Sequence, residues 1–558
     1  MVVRGGLDAR VVWTKPSYGG LVGVALGYFA ALTPSLLPRA LPFMIVVTAI
    51  GVVAGYAAGS AIEWFARTIA RLDAWYPNKK VTTVSLVVTW GLALAFTPIA
   101  VAWQKTQQEA LNMPQAVPGS LALAVSAILL GAVLVLIGRC IRALTRLVGT
   151  LLGQIGPLHR WVEASRERIR WIRLAVSLVF VALLFAGLNA GFSWLTGVYN
   201  TTNSDASGQF ASNLGVNSGS DASPLPWETL GREGRYYVSN TMSAASIAEI
   251  TSRPAEQPIR LYVGMEQADS FDERAALAVE ELDRVDAWSR EYLVIFGVTG
   301  TGWVDPDAIN ALEVVTGGDV TTVATQYSAV PSWIGFIIDS QTTINQNRAT
   351  IDAVVERWKQ LPEDQRPTLV LFGESLGSMG TQGAWTADAT PEEVTEDIKS
   401  IIWIGPPAES TLWKSWQADR TSGPAWDPVI GDGQITRVLV QTEDPDRDDD
   451  TRLPVIVFAA HANDPVVYWR PDLFYREADW TIPPHGPGVM SSLRWFPFIT
   501  GFQVGMDLIS GGAPPEVGHN YSADMAPAVV LGVANPEWTT RDTARLQEAL
   551  PDFRYETG

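Results

Sequence analysis

The sequence predicts a two-part chain: an all-α bundle of five membrane-spanning helices, then an α/β domain with a mainly parallel sheet flanked by helices. Three observations predict it. Uncharged apolar stretches of at least 20 residues are confined to the first 200 positions. The charge balance changes sign near the same point. Beyond it, short apolar runs alternate with helical periodicity, the pattern of βαβ units.

The charge change is large. Residues 1–200 hold 17 Lys+Arg against 6 Asp+Glu, a balance of +11, whereas residues 201–558 hold 23 against 52, a balance of −29; together they give the chain's −18. Such asymmetry separates a part that contacts membrane or nucleic acid from a soluble one. Hydropathy decides for the membrane, and the acidic excess of the second part argues against nucleic acid as a partner.

The five stretches are Gly19–Pro38, Leu41–Ile62, Thr82–Trp103, Gly119–Gly138 and Leu174–Leu195. Each reaches the roughly 20 residues needed to cross a bilayer core. Pro34 and Pro38 threaten the end of the first with a kink or an early stop. A cleaved signal peptide is disfavoured because the first apolar segment is long and another follows almost at once. Gly19, Gly23 and Gly27, and again Gly51, Gly55 and Gly59, recur every fourth residue. That spacing suits close helix packing within a bundle or at a homo-oligomer contact. A transport pathway fits less well, because the spans lack intramembrane charge.

Basic residues alternate along the loops. The tail carries Arg4, Arg10 and Lys15, the next loop only Arg39, the second Arg67, Arg71, Lys79 and Lys80, and the third only Lys105. The fourth, residues 139–173, carries eight. The positive-inside rule then predicts a multi-pass cell-membrane protein with a cytoplasmic N-terminus and everything after Leu195 extracytoplasmic. Cys140 is the only cysteine, so the outer domain must be stabilised by burial without disulfides. Leu158–Arg173 mixes Trp161, Ile169, Trp171 and arginines. It reads either as an amphipathic helix on the membrane face or as a basic loop enforcing topology.

The domains read as 1–196 for the membrane bundle, 197–234 for a flexible extracytoplasmic tether rich in Ser, Asn and Gly, and 235–558 for the outer domain. Its strands are expected at Pro258–Val263, Tyr292–Phe296, Val320–Ala324, Thr368–Phe372, Ile401–Ile404 and Val455–Ala459. Helices are expected at Phe271–Trp288, Ile344–Gln360 and Tyr521–Val533. The acidic run Glu443–Asp450 lacks the spacing and glycine of a calcium loop and reads as solvated. No metal or cofactor is called for.

The chemistry concentrates at Gly373-Glu374-Ser375-Leu376-Gly377. A G-x-S-x-G run straight after a buried strand is the pattern of a nucleophile elbow, a tight turn that lifts a serine hydroxyl above the sheet. A serine needs a base, and the base needs an oriented acid. Four histidines exist. His159 is assigned to the cytoplasmic side, leaving His461, His485 and His519. Asp464 follows the strand ending near Ala459 and fits the acid; a turn-capping aspartate before Pro465 is the plainer reading. His519, in a Gly-flanked loop ahead of a helix, fits the order nucleophile–acid–histidine best; His461 precedes Asp464 and His485 lies in a stiff Pro-rich loop.

The oxyanion of acyl transfer needs preorganised backbone donors. The amide of Leu376 is one candidate. The loop Gly297–Trp303 supplies the other, from Thr299, Gly300 or Thr301. Its G-x-x-G-x-G spacing is wrong for a dinucleotide fingerprint.

With Gly300–Val304, Gln326–Ser328, Pro331–Trp333, Gly373–Ser378, Gly405–Pro407, Asn463–Val466 and Gly518–Tyr521 in hand, the chain resembles the actinobacterial membrane-anchored α/β-hydrolase family. That resemblance implies an α/β-hydrolase fold behind a multi-span domain and a lipase- or esterase-like serine hydrolase without a fixed substrate. The expected function is cleavage of an acyl ester, lipid-like or of the cell envelope, by Ser375, His519 and Asp464. An acyltransferase with the same residues is the alternative, and a non-catalytic membrane scaffold a third.

Overall fold

The computed structural model describes residues 16–68, 79–113, 119–152, 168–206, 215–338, 340–440, 455–509, 513–533 and 538–553. His159, the acidic run at 443–450 and most of the amphipathic stretch at 158–173 lie outside them.

Among the described residues, five helices build the N-terminal part: α1 (Tyr18–Ala31), α2 (Leu41–Thr68), α3 (Lys79–Ala110), α4 (Ser120–Leu152) and α5 (Arg168–Ser204). Four of these, α2 to α5, are long and apolar enough to cross a membrane. This corrects the expected five. The first stretch forms only the 14-residue α1, about 21 Å long at 1.5 Å per residue. Thr33-Pro34 and Pro38 end it, and the chain turns through 33–39 before α2 begins.

The two glycine series meet each other. A Cβ on Gly23 would lie 2.0 Å from the Gly55 carbonyl oxygen, on Gly27 2.0 Å from that of Gly51, and on Gly19 2.5 Å from that of Gly59. The falling and rising numbers make α1 and α2 an antiparallel hairpin in backbone contact. At its open end the Gly19 amide donates to Glu63, which also pairs with Arg67. Along the α5 span, by contrast, no residue of the apolar window is buried within the protein, and Leu183, Phe185 and Trp194 are bare.

The C-terminal part is a seven-stranded sheet in the order β1-β3-β2-β4-β5-β7-β6, every neighbouring pair parallel. The strands are β1 (Ile259–Val263), β2 (Tyr292–Gly297), β3 (Val320–Thr325), β4 (Thr368–Glu374), β5 (Ser400–Ile404), β6 (Thr436–Leu439) and β7 (Val455–Ala459). β1, β2, β3, β5 and β7 are buried along their whole length, and β4 from its second residue on, as parallel strands covered on both faces must be. Arg260 inside β1 is fully buried, because Glu313 takes its Nε (2.6 Å) and Nη2 (2.9 Å) and Asn310 and the Tyr237 carbonyl take the rest. Six strands fall where the apolar runs placed them; β6 is the one the pattern missed.

The stretch expected as a tether is largely something else. α5 continues to Ser204, and residues 215–226 pack onto β1, an edge strand. Asn217 accepts the Arg260 amide (3.1 Å), the Ser218 hydroxyl accepts the Tyr262 amide (3.0 Å), and the Ser218 amide donates to the Arg260 carbonyl (3.4 Å). Polar side chains that read as solvent-loving cover a sheet edge that would otherwise invite pairing. The globular domain therefore begins by residue 215.

The two parts interlock. Leu36, from the tip of the α1–α2 hairpin, is fully buried in the main core of the α/β domain. Leu37 and Leu111 pack with Val517, and Gln503 of the helix Ile499–Ile509 donates to the Thr33 carbonyl (2.9 Å).

Candidate active site

Strands β4, β5 and β7 are neighbours, and their carboxyl ends lie level: Glu374 pairs with Ile404 and Ile404 with Ala459. Ligands of open parallel sheets bind outside this edge. Ser375, Gly405 and Asp464 all follow strands at this edge.

Ser375 follows β4 directly, with φ 51° and ψ −120°. This conformation is strained for any residue with a Cβ, by about 1–3 kcal/mol. The surroundings hold it there: the Ser375 amide donates to the Ile404 carbonyl (2.8 Å), and the Ser375 carbonyl accepts from Met379 in the helix Leu376–Gln382. Gly377 is obligatory, since its Cβ would come 1.9 Å from the Gly297 carbonyl oxygen. The result is a partly exposed serine between buried neighbours.

Asp464 is fully buried, and its oxygens divide the work. Oδ1 accepts the Val466 amide (2.8 Å) and so caps the short helix Pro465–Tyr468. Oδ2 accepts from His519 Nδ1 (2.7 Å) and from the Tyr521 hydroxyl (2.7 Å). The helix cap and the bond to a histidine thus fall on different oxygens of one carboxylate. With Nδ1–H donated to Asp464, the neutral ring keeps its lone pair on Nε2. That nitrogen is buried and holds no hydrogen bond among the described residues.

The His519 ring rests on Gly405, the residue after β5. A Cβ there, at φ 52°, would stand 2.7 Å from His519 Cε1 and 2.7 Å from Tyr521 Cε2. Asn463 accepts the Gly518 amide (3.0 Å), tying the loop of the acid to the loop of the histidine. Burial first, and then the Asp464 charge, push the Tyr521 hydroxyl well above its ordinary pKa, so it stays a donor.

Of the other two histidines, His485 Nε2 meets the Thr481 carbonyl at 3.2 Å. His461 bonds to Asp524 and to the Gly518 carbonyl. Neither is bonded to Asp464, so the histidine on the acid is His519.

The Leu376 amide opens the helix Leu376–Gln382 and is one of its unpaired first-turn donors. In the loop after β2, the amide of Thr299 donates to the Trp303 carbonyl (2.9 Å) and that of Gly300 to the Ser332 hydroxyl (3.1 Å). Of the three loop candidates, Thr301 alone holds no amide hydrogen bond among the described residues. Sequence reasoning missed the bonds that Tyr521 and Asn463 make and the pairing of His461 with Asp524. Tyr521 had a signal: it sits two residues beyond His519.

The pattern described as "Alpha/beta-hydrolase family" matches residues 259–546, and the one described as "Alpha/beta-hydrolase family N-terminus" matches residues 32–241. Comparison with curated proteins and with solved structures finds no match. The matched regions cover the whole sheet, the elbow and both loops of the acid–histidine pair, and the chain belongs to this alpha/beta-hydrolase family.

Proposed function

We propose that the protein is a membrane-anchored serine hydrolase that cleaves an acyl ester through Ser375, His519 and Asp464. One observation carries the reading: the 2.7 Å bond from His519 Nδ1 to a fully buried Asp464 leaves Nε2 without a partner among the described residues, with the ring against Gly405, which follows β5, the neighbour of the strand that ends at Ser375. In this mechanism Nε2 takes the Ser375 proton as Oγ attacks the ester carbonyl. The Leu376 amide, with Thr301 as second donor, meets the oxyanion. The imidazolium then protonates the leaving alcohol. Water, activated by the same nitrogen, releases the acid and restores Ser375.

The domain's placement supports an extracytoplasmic site. The catalytic part contacts the α1–α2 tip, the end of α3 and the end of α5, the ends poor in basic residues, and the opposite ends carry Arg67 and Arg139. Arg39, the single basic residue of its loop, is consumed in a buried ion pair, which leaves that side lighter still. By the positive-inside rule the charge-poor side faces out. The exposed Cys140, near the basic end of α4, gives a direct check: in intact cells a membrane-permeant maleimide labels it and an impermeant one does not.

A fluorophosphonate probe tests the chemistry. Labelling of the full chain in detergent, abolished in Ser375→Ala and His519→Gln, is the expected result; undiminished labelling of Ser375→Ala overturns the reading. Adding an alcohol acceptor to a turnover assay separates hydrolysis from acyl transfer.

A further inference from the structure

Beside the acid–histidine pair of the proposed site lies a second one that the mechanism does not use. His461 follows β7 and is 2% exposed. Its Nδ1 stands 2.8 Å from the Gly518 carbonyl oxygen, and its Nε2 3.0 Å from Oδ2 of Asp524, which is 1% exposed. A carbonyl offers only lone pairs, so Nδ1 must carry a proton. A buried carboxylate facing a bare ring lone pair would repel it, so a proton also lies between Nε2 and Asp524. Asp524, the Gly518 carbonyl and the nearby Asp464 charge all favour the protonated ring, and the proton rests on it.

We propose that His461 is a positioning residue, held as an imidazolium between Asp524 and the Gly518 carbonyl, and that these two bonds set the register of the loop carrying His519. The catalytic half of this inference rests on the function proposed above; the charge state does not.

The geometry shows how the effect would travel. Gly518 precedes His519 directly, and its peptide groups are gripped on both sides: His461 takes the carbonyl and Asn463 the amide. The His461 ring stacks on Tyr521, with centroids 4.1 Å apart and planes 18° from parallel. A cation over a phenol face is a favourable arrangement. The Tyr521 hydroxyl accepts the His461 backbone amide (3.1 Å) while donating to Asp464. The two histidine–carboxylate pairs are therefore joined through one tyrosine. A neutral His461 loses one of its two bonds, and either Asp524 or the Gly518 carbonyl loses that buried partner, at a cost of about 1–3 kcal/mol.

The groups facing His461 are Asp524, Asp464 and Tyr521. Burial works against the charged ring. The hydrogen bond and charge of Asp524, with the Gly518 carbonyl and Asp464, outweigh it, and the pKa ends above the ordinary imidazole value. The sign follows: the ordered loop is present at lower pH and is lost as pH rises through this raised pKa. Labelling should therefore fall on the alkaline side as His461 loses its proton.

The test uses the full chain in detergent with 15N-labelled histidine. Near about pH 7.5, where an ordinary histidine is neutral, one histidine should show both ring nitrogens protonated, and that signal should vanish in His461→Gln. A neutral tautomer for His461 at this pH overturns the proposal. This readout needs no activity, so it stands apart from the Ser375→Ala labelling result. For the positioning role, the pH dependence of probe labelling is compared in wild type, His461→Gln and Asp524→Asn, each checked for an unchanged circular dichroism spectrum. In Asp524→Asn the alkaline limb should move to lower pH. In His461→Gln it should disappear, with labelling at neutral pH slowed roughly tenfold, the cost of one lost charged hydrogen bond. An alkaline limb that stays in place in both variants overturns the positioning role.

Discussion

Arg39 and Asp507, 468 positions apart, form a buried ion pair with Nε 2.7 Å from Oδ1, and their side chains are 2% and 0% exposed. It joins the tip of the α1–α2 hairpin to the helix Ile499–Ile509 of the α/β domain. Ser35 and the Leu37 amide donate to Oδ2 of the same carboxylate. Gln104 and Gln107 of α3 hold the Arg39 amide and the Ser35 and Leu36 carbonyls. The N-terminal hairpin and the α/β domain are packed together at this point.

The first prediction follows from that pair. Removing one partner of a buried ion pair costs about 3–5 kcal/mol, because the other charge is stranded. Arg39→Met and Asp507→Leu should each destabilise the detergent-solubilised protein by about that amount. The double substitution should recover most of the loss. Thermal or denaturant unfolding measures it, and equal, additive losses would show that the two side chains are not coupled.

Leu37 carries the second. It packs on the loop that holds the candidate base: a Cβ on Gly518 would stand 3.0 Å from Leu37 Cδ1. Leu37→Ala should cost about 2–5 kcal/mol in stability and slow fluorophosphonate labelling several-fold. Leu37→Met, which keeps the volume, should cost less than about 1.5 kcal/mol and restore the rate. An unchanged labelling rate in a folded Leu37→Ala protein would mean that the membrane hairpin does not brace the site.

Much of this architecture was readable in advance, and the unread parts share a cause. Apolar runs revealed six strands, since parallel strands buried on both faces leave a continuous hydrophobic signature. β6 left none: it is a four-residue edge strand containing Thr436 and Arg437, and only its first residue is buried. The tight turn at Ser375 and the position of Asp464 after β7 were legible because each follows an apolar strand, whereas the bond that brings His519 to Asp464 depends on the fold. Arg39–Asp507 was not. Arg39 read as a loop charge, and only the fold brings a carboxylate to it. Asn217 and Ser218 misread as tether for a similar reason, because their composition is that of a loop while their bonds are those of a strand cap. The first span was overcounted because apolar composition continues past Ala31, whereas the helix does not.

Asp464 gives the third prediction. Its Oδ2 both orients His519 and receives Tyr521. Asp464→Asn presents an amide to Nδ1 and favours the tautomer with its proton on Nε2, where a base needs a lone pair. The expected fall in labelling rate is about 10³–10⁴-fold. Tyr521→Phe removes one of two donors and leaves the tautomer intact, so a fall of roughly tenfold is expected. Equal rates for the two variants would mean that the tautomer is set elsewhere.

Glu233 carries the last prediction, in the helix Gly231–Ser239 beside the end of α5. Its Oε2 is buried with no hydrogen-bond partner among the described residues. Burial pushes its carboxyl up to about 7, against the pull of Arg232 and Arg235. The folded protein therefore holds this proton more tightly than the unfolded chain, and stability falls as pH rises from the ordinary glutamate range through about 7. Glu233→Gln removes the ionisation. It should stabilise the protein at about pH 8 by about 1–2 kcal/mol, allowing for the partial exposure of the side chain, and change little at about pH 4.5. Melting temperatures of both proteins across that range decide it: a difference that stays constant with pH would show that Glu233 does not titrate in the folded state near neutrality.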